Sequence, residues 1–230
     1  MITIKKLSLL LCLSVGSFLV HAQTKWNVKA GLNFSNVDAK NKDGNKPNTE
    51  WDGGLYLGIG PTIRMSEHFA IEPAFVFARR GFERNEGETI GWGENFKANT
   101  SYLELPVDFV FNSTVGNDQL QFGLGPYIGY GLGGKWKTSE EVYMDDIGIG
   151  QKGDIKFQND ASIADYGDYI LGKSFDYGVR AKVNYLFRRH YLFGMEFQKG
   201  IANLESKWGD YKPEGSLRNR SFGVSVGYRF

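Results

Sequence analysis

The sequence predicts an all-β protein, an eight-stranded antiparallel up-and-down transmembrane β-barrel with short periplasmic turns and long extracellular loops. Three observations predict it. Alternation of period two recurs in eight segments of the chain, each close to the ~10 residues a tilted membrane strand needs. The connections between them alternate between short and long, as in outer-membrane barrels. One face of the segments is too bulky to fit inside so small a barrel, so it must meet lipid.

Residues 1–22 stand apart from this pattern. Lys5 and Lys6 form a positive n-region, Leu7 to Val20 an apolar stretch, and Val20-His21-Ala22 a small-residue cleavage site before Gln23. This is the pattern of a secretory signal peptide cut between Ala22 and Gln23, and the apolar run is too short for a spanning helix. Cys12, the only cysteine, lies inside it, so the expected mature domain, 23–230, has no disulfide. Removing Lys5 and Lys6 takes the formal charge from +1 to −1, which excludes the basic surplus of a nucleic-acid binder.

The eight segments follow in order. Trp26, Val28, Ala30, Leu32 and Phe34 oppose Asn27, Lys29, Gly31 and Asn33. Leu55, Leu57, Ile59, Pro61 and Ile63 oppose Tyr56, Gly58, Gly60 and Thr62. Phe69, Ile71, Pro73, Phe75 and Phe77 oppose Ala70, Glu72, Ala74 and Val76. Leu103 to Phe111 on odd positions oppose Glu104, Pro106 and Asp108. Leu120 to Tyr130 on even positions oppose Gln121, Gly123, Gly125, Tyr127 and Gly129. Phe175 to Tyr185 on odd positions oppose Asp176, Gly178, Arg180 and Lys182. Tyr191, Phe193, Met195 and Phe197 oppose Gly194, Glu196 and Gln198. The last, Phe222 to Phe230 on even positions, opposes Ser221, Gly223, Ser225, Gly227 and Arg229.

The expected short turns are 64–68, 112–118 and 187–190; the expected long loops are 35–52, 78–101, 133–173 and 202–217. With the N-terminus in the periplasm, the long loops fall outside the cell. Aromatic residues near strand ends, among them Trp26, Phe69, Phe111, Tyr185, Tyr191 and Tyr228, form the expected interfacial girdle.

Bulk and charge assign the faces. The apolar side carries Phe, Tyr, Leu and Ile, whereas the other is mostly Gly, Ala and Ser with a few charges. Only the second fits a lumen that side chains just fill. Lys29, Glu72, Glu104, Asp108, Asp176, Arg180, Lys182 and Glu196 therefore point inward, where isolated charge costs several kcal/mol, and a structural polar network is expected. A proton or ion path along the same residues is the sharper alternative.

Other motifs carry less. His68 and His190 are the histidines of the expected mature chain, and both fall in short turns, away from any serine–acid arrangement suited to nucleophilic catalysis. Gly148 to Gly153 matches G-x-G-x-x-G but follows no expected strand and opens no helix, so no nucleotide site is expected. The stretch 133–173 is acidic, with Glu140, Glu141, Asp145, Asp146, Asp154, Asp160, Asp165 and Asp168; it lacks EF-hand spacing, so a solvated loop is expected ahead of a cation site. Trp51, Trp92, Trp136 and Trp208 lie in or beside the long loops, positioned either for partner contact or for packing on the barrel rim. No cofactor or metal is expected.

Tyr102-Leu103-Glu104-Leu105-Pro106, Gly123-Leu124-Gly125-Pro126-Tyr127-Ile128-Gly129, Phe175-Asp176-Tyr177-Gly178 and Gly227-Tyr228-Arg229-Phe230 resemble the PorT-type outer-membrane β-barrel family of Bacteroidota. The resemblance covers the mature chain. It implies a small barrel inserted by the outer-membrane assembly machinery, with a terminal aromatic such as Phe230 as a recognition element. The member that gives the family its name acts in a secretion system and gliding apparatus, and most relatives have no assigned role. The expectation is a non-enzymatic integral outer-membrane protein. Its partners would be membrane lipid and lipopolysaccharide, the assembly machinery, and a secretion-system or extracellular protein. A small pore and a lipid-modifying enzyme are the alternatives.

Overall fold

The structure is a computed structural model, and it describes residues 24–85, 90–144, 146–163 and 168–230. The expected signal peptide and its Ala22–Gln23 junction lie outside the described residues. The elements are β1 (Lys25–Lys40), β2 (Thr49–Arg64), β3 (Phe69–Pro73), β4 (Phe75–Arg84), β5 (Phe96–Val115), β6 (Asp118–Met144), β7 (Ile147–Phe157), a 3-10 turn (Ala161–Ile163), β8 (Tyr169–Gly172), β9 (Phe175–Phe187), β10 (Tyr191–Gly200) and β11 (Ser216–Arg229).

Eight of these walls close on themselves. β1 pairs with β2, β2 with β3 and β4, both of those with β5, β5 with β6, β6 with β9, and β9, β10 and β11 follow in order back to β1. Closure leaves the barrel without an open edge, which a bilayer requires. β3 and β4 form one wall: Pro73, with no N–H to give, interrupts the ladder, and Ala74 N resumes it by donating to Pro106 O at 3.0 Å. β7 and β8 extend the sheet beyond the barrel above β6.

Face assignment follows the alternation. Along β9 the burial strictly alternates, Phe175, Tyr177 and Val179 outside against Asp176, Gly178 and Arg180 inside, and β10 repeats it. The lumen is narrow enough that a missing side chain matters. A Cβ on Gly123 would lie 2.7 Å from Lys182 Cε, so the glycine leaves the space that the lysine stem occupies.

The short turns fall at one end, together with Trp26 and Arg229. At the turn after β9, His190 N donates to Phe187 O at 3.1 Å, and both central residues, Arg188 (φ 49°) and Arg189 (φ 61°), are left-handed. Such a turn matches the strand twist. Phe230 lies one residue beyond β11, and its N–H donates to Trp26 O at 2.9 Å, so the C-terminus is fastened to the first strand.

The long loops are shorter than expected. β1 and β2 leave only 41–48 between them, β4 and β5 leave 85–95, and much of 133–173 is the upper end of β6 with β7 and β8. The reason is a reversal of polarity. In β11, Phe222, Val224 and Val226 face out and Ser221 and Ser225 face in, but above them Leu217 is buried and Arg218 exposed. In β5, Leu103 and Leu105 face out over Glu104 and Asp108, while higher up Phe96 and Ala98 are buried and Lys97 and Asn99 are turned outward. The strands outgrow the bilayer, and beyond it the solvent changes sides. The reading that followed bulky outward residues ended where lipid ends. In β6 the change is helped by a bulge: Tyr102 pairs with Gly131 and Ser101 with Gly133, so Leu132 is the extra residue.

Candidate functional site

The lumen within the lipid belt is filled by a buried polar network in two tiers. In the lower tier Arg229 Nε donates to Asn27 Oδ1 at 2.7 Å and Nη2 to Glu72 Oε1 at 3.0 Å. Lys182 Nζ reaches Glu72 Oε2 at 2.8 Å and Asp108 Oδ2 at 2.6 Å. Arg180 Nη2 donates to the same Asp108 oxygen at 3.1 Å and faces Glu196 Oε2 at 3.5 Å. Lys29 Nζ donates to Asn184 Oδ1 at 3.0 Å.

The upper tier is centred on Arg80 of β4. Its guanidinium pairs with Glu104, donates to Gln198 Oε1 at 2.9 Å and meets Asp176 Oδ2 at 3.3 Å. It lies over the rings of Tyr102 and Tyr127, 5.3 and 5.6 Å from their centroids. Tyr127 OH and Asn219 Nδ2 complete the shell of Asp176 at 3.1 and 3.0 Å.

All eight residues nominated from the sequence are buried in this network: Lys29, Glu72, Glu104, Asp108, Asp176, Arg180, Lys182 and Glu196. Arg80 and Arg229 were missed. Arg229 has the right parity in the final segment, and Arg80 continues the inward row of Val76 and Ala78 past the point where a loop was expected. A signal for both was present. The nominated set holds three cations against five carboxylates, and a low-dielectric lumen does not tolerate two unbalanced charges. With Arg80 and Arg229 the charges of this network balance, five against five; Asp52 and Arg84, the other buried charges among the described residues, lie above it.

Some capacity is left over. Arg180 Nε and Nη1 and Asp108 Oδ1 have no hydrogen-bond partner among the described residues. A void of about 20 Å³ lies between Asn27, Lys29, Tyr56, Glu72, Arg180 and Lys182. That is room for about one water, with the polar groups on one side of the void to hold it and Ile59, Pro61 and Pro73 on the other.

Above the network the barrel interior is mainly apolar, with the buried Arg84 guanidinium donating to Gly93 O. Val37, Phe82, Phe96, Ala98, Trp136, Ile155, Tyr169, Leu171, Leu204 and Leu217 form a continuous buried cluster. Trp92 meets Trp136 and Tyr169 edge-on at 5.1 and 5.0 Å, and Phe96 packs 4.9 Å from Tyr169. Each such side chain contributes roughly 1.5–3 kcal/mol through burial. Phe157, at the end of β7, joins the two regions by packing on Tyr102 at 5.4 Å, next to Arg80. Gly131 makes this possible, since a Cβ there would lie 2.5 Å from the Phe157 ring.

The weaker sequence candidates fall elsewhere. His190 Nδ1 lies 3.0 Å from Arg229 O and its ring stacks on Tyr228; His68 stacks on Phe111. Ser66 Oγ, the hydroxyl nearest His68 in sequence, accepts the Phe69 N–H at 3.1 Å as an ordinary turn contact. The G-x-G-x-x-G stretch lies within β7 rather than in a loop, and opens no helix. Of the acidic residues, Asp154 pairs with Lys135, Asp168 with Lys156 and Asp160 with Lys207, while Asp145 and Asp165 lie outside the described residues. Asp160 also accepts the Ser162 hydroxyl at 2.7 Å and Gly209 N–H at 2.9 Å, which hold its carboxyl well below the usual range. No group of three or more His, Cys, Asp or Glu suited to a metal occurs among the described residues. Trp136 is wholly buried and Trp92 half-buried, whereas Trp51 and Trp208 are exposed.

Residues 21–205 match the family described as outer membrane protein beta-barrel domain. No curated protein matches the chain. Solved structures similar to it include Ail, the attachment invasion locus protein of Yersinia pestis, in complex with the heparin analogue sucrose octasulfate. That likeness has a TM-score of 0.43 and 14% identity, over 90% of this chain and 99% of that one. OprG from Pseudomonas aeruginosa gives 0.46 and 14%, over 91% and 97%. Neisserial surface protein A gives 0.40 and 11%, over 89% and 95%. The protein is integral to the bacterial outer membrane, and the chain belongs to the outer membrane protein beta-barrel domain family.

Proposed function

We propose that the protein is a closed, non-enzymatic outer-membrane anchor that holds a folded extracellular platform for contact with a protein partner. The observation that carries this reading is the apolar core above the lipid. Strands that served only as a pore wall would not need a second, separately packed interior outside the membrane. That core supports a rim on which Trp208 and Tyr211, bridged backbone to backbone, are 64% and 80% exposed. Exposed aromatics on a rigid support are the side chains most enriched where proteins bind.

The network below supports a closed lumen, which argues against the small-pore reading. Refolded protein in planar bilayers is expected to show no stable conductance steps, and ion-sized steps would overturn closure. A photo-crosslinking residue at Trp208 or Tyr211 in living cells is expected to capture one specific protein; uniform failure at both sites, with the barrel present at the surface, would sink the platform reading. The PorT-type resemblance supports a partner in secretion or surface-protein assembly. We further infer export by a signal peptide cut at Ala22–Gln23, which N-terminal sequencing of the mature protein tests. Phe230, fastened to Trp26, is the inferred assembly signal, and its deletion is expected to lower outer-membrane levels.

A further inference from the structure

On the outer wall just above the lipid belt, the strand register sets lysines opposite one another. Lys97 of β5 faces Lys137 of β6, and Lys137 faces Lys152 of β7. Like charges directly opposite on neighbouring strands destabilise a sheet. Lys97 is neutralised by Asp52 and Glu83, and Lys135 by Asp154. Lys137 and Lys152 are exposed and have no carboxylate partner among the described residues, and the same is true of Arg79 on β4. A local rule broken without compensation inside the chain points to a function outside it.

These side chains surround a groove of about 580 Å³ lined by Arg79, Asn99, Lys135, Lys137, Lys152 and Asp154, whose carboxylate is already paired with Lys135. Its size is that of a ligand pocket. We propose that this groove binds the phosphorylated sugar headgroup of an outer-leaflet glycolipid.

Height selects this occupant. Arg79 lies two residues above the lipid-facing Phe77, and Asn99 four above Leu103, on the same outward faces. At ~3.3 Å per residue on a strand tilted by ~40°, the groove runs from roughly 5 Å above the hydrocarbon edge at Arg79 to roughly 15 Å at Lys137, which pairs with Lys97 six residues above Leu103. It therefore spans the headgroup layer and the first sugars above it. Charge fits as well: a phosphate between Lys137 and Lys152 turns a repulsive pair into a clamp, with Arg79 free for a second phosphate. The Asn99 amide, on the same outward face, suits a sugar hydroxyl. The proposal stands whether or not the rim carries a protein partner.

The test uses the full mature chain in phosphatidylcholine nanodiscs doped with bis-phosphorylated lipid A or with its dephosphorylated form, with retained lipid counted by native mass spectrometry. Wild type is expected to retain the phosphorylated form at least tenfold better. The Lys137→Ala/Lys152→Ala double variant is expected to lose that preference at least tenfold, while a distant Lys42→Ala variant keeps it. In phosphatidylcholine alone the double variant is expected to melt at the same temperature as wild type or higher, because repulsion has been removed. If the double variant fails to fold, Lys152→Ala alone and the salt dependence of wild-type retention read the same site. Equal retention of the two lipid forms, an unchanged preference in the double variant, or a lowered melting temperature would overturn the proposal. Displacement of the lipid by inorganic pyrophosphate at equal concentration would also overturn it, by assigning the groove to free phosphate instead.

Discussion

The two halves of this barrel solve opposite solvent problems with the same strands. Inside the lipid belt β1 turns Leu32 and Phe34 outward and Asn33 and Ser35 inward; a few residues higher Val37 and Ala39 are buried, and Asp38 and Lys40 are turned outward. The lower half is held by ten balanced charges and their hydrogen bonds. The upper half is held by apolar packing around Trp136 and Phe96. Period-two alternation thus specifies a strand in either half, but which face is inside depends on what surrounds the wall.

The comparison breaks first at Arg80. Arg80→Ala leaves Glu104 and Asp176 without their shared cation and is expected to destabilise the barrel by about 3–5 kcal/mol in urea titrations of folded protein in micelles. Replacing the pair together, Arg80→Met with Glu104→Leu, should cost less than the single change. If the double variant is the weaker of the two, the network is not balanced as described.

In the upper half the corresponding change is Phe96→Ala. Loss of a wholly buried ring is expected to cost about 3–5 kcal/mol, but only above the membrane. The variant should still insert and migrate as a compact barrel in unheated gels, while protease added to intact cells clips it between 85 and 160. Loss of insertion would mean that the halves fold as one unit.

An outward charge separates the halves more mildly. Leu124→Arg, at a position 63% exposed within the belt, is expected to cost about 2–4 kcal/mol. Asn99→Arg, outward in the upper half, should stay within about 0.5 kcal/mol. Equal costs at the two positions would place both in the same solvent.

The smallest effect is one of pH. Burial pushes the Glu205 carboxyl above its usual range, partly offset by Lys173. Its folded pKa is raised, so its contribution is fully present below the unfolded pKa, near 4.3, and is lost as pH rises through the folded value. Hydrogen exchange across 202–217 should therefore quicken over the range just above the usual Glu pKa, and Glu205→Gln should remove the dependence.

How much of this was legible in the sequence follows from the same reversal. The inward placement of Lys29, Asp108 and Arg180 could be read because bulky residues flank them on the lipid face. Arg80 could not be read that way, because Arg79 and Gly81 beside it carry no lipid mark. Trp136 looked like a loop aromatic for the same reason, and its place in an interior became visible only once the Leu132 bulge and the β6–β7 pairing were known. Phe230 could be read as the end of the last strand, but its bond to Trp26 O could not, since only the closed register sets the two side by side. The lysines at 97, 137 and 152 were not legible as a cluster, since only register brings them together.

The most direct measurement is an accessibility scan along the outward face of β5. Single cysteines at Phe109, Val107, Leu105, Leu103, Asn99 and Lys97, in a chain lacking Cys12, would carry a nitroxide in reconstituted bilayers. Collisions with oxygen and with a water-soluble nickel complex would then be read by electron paramagnetic resonance. The account predicts oxygen-rich, nickel-poor environments from Phe109 to Leu103 and the opposite at Asn99 and Lys97, with a label at Ala98 shielded from both reagents. Uniform nickel access along the whole face, or no change of sides between Leu103 and Asn99, would contradict it.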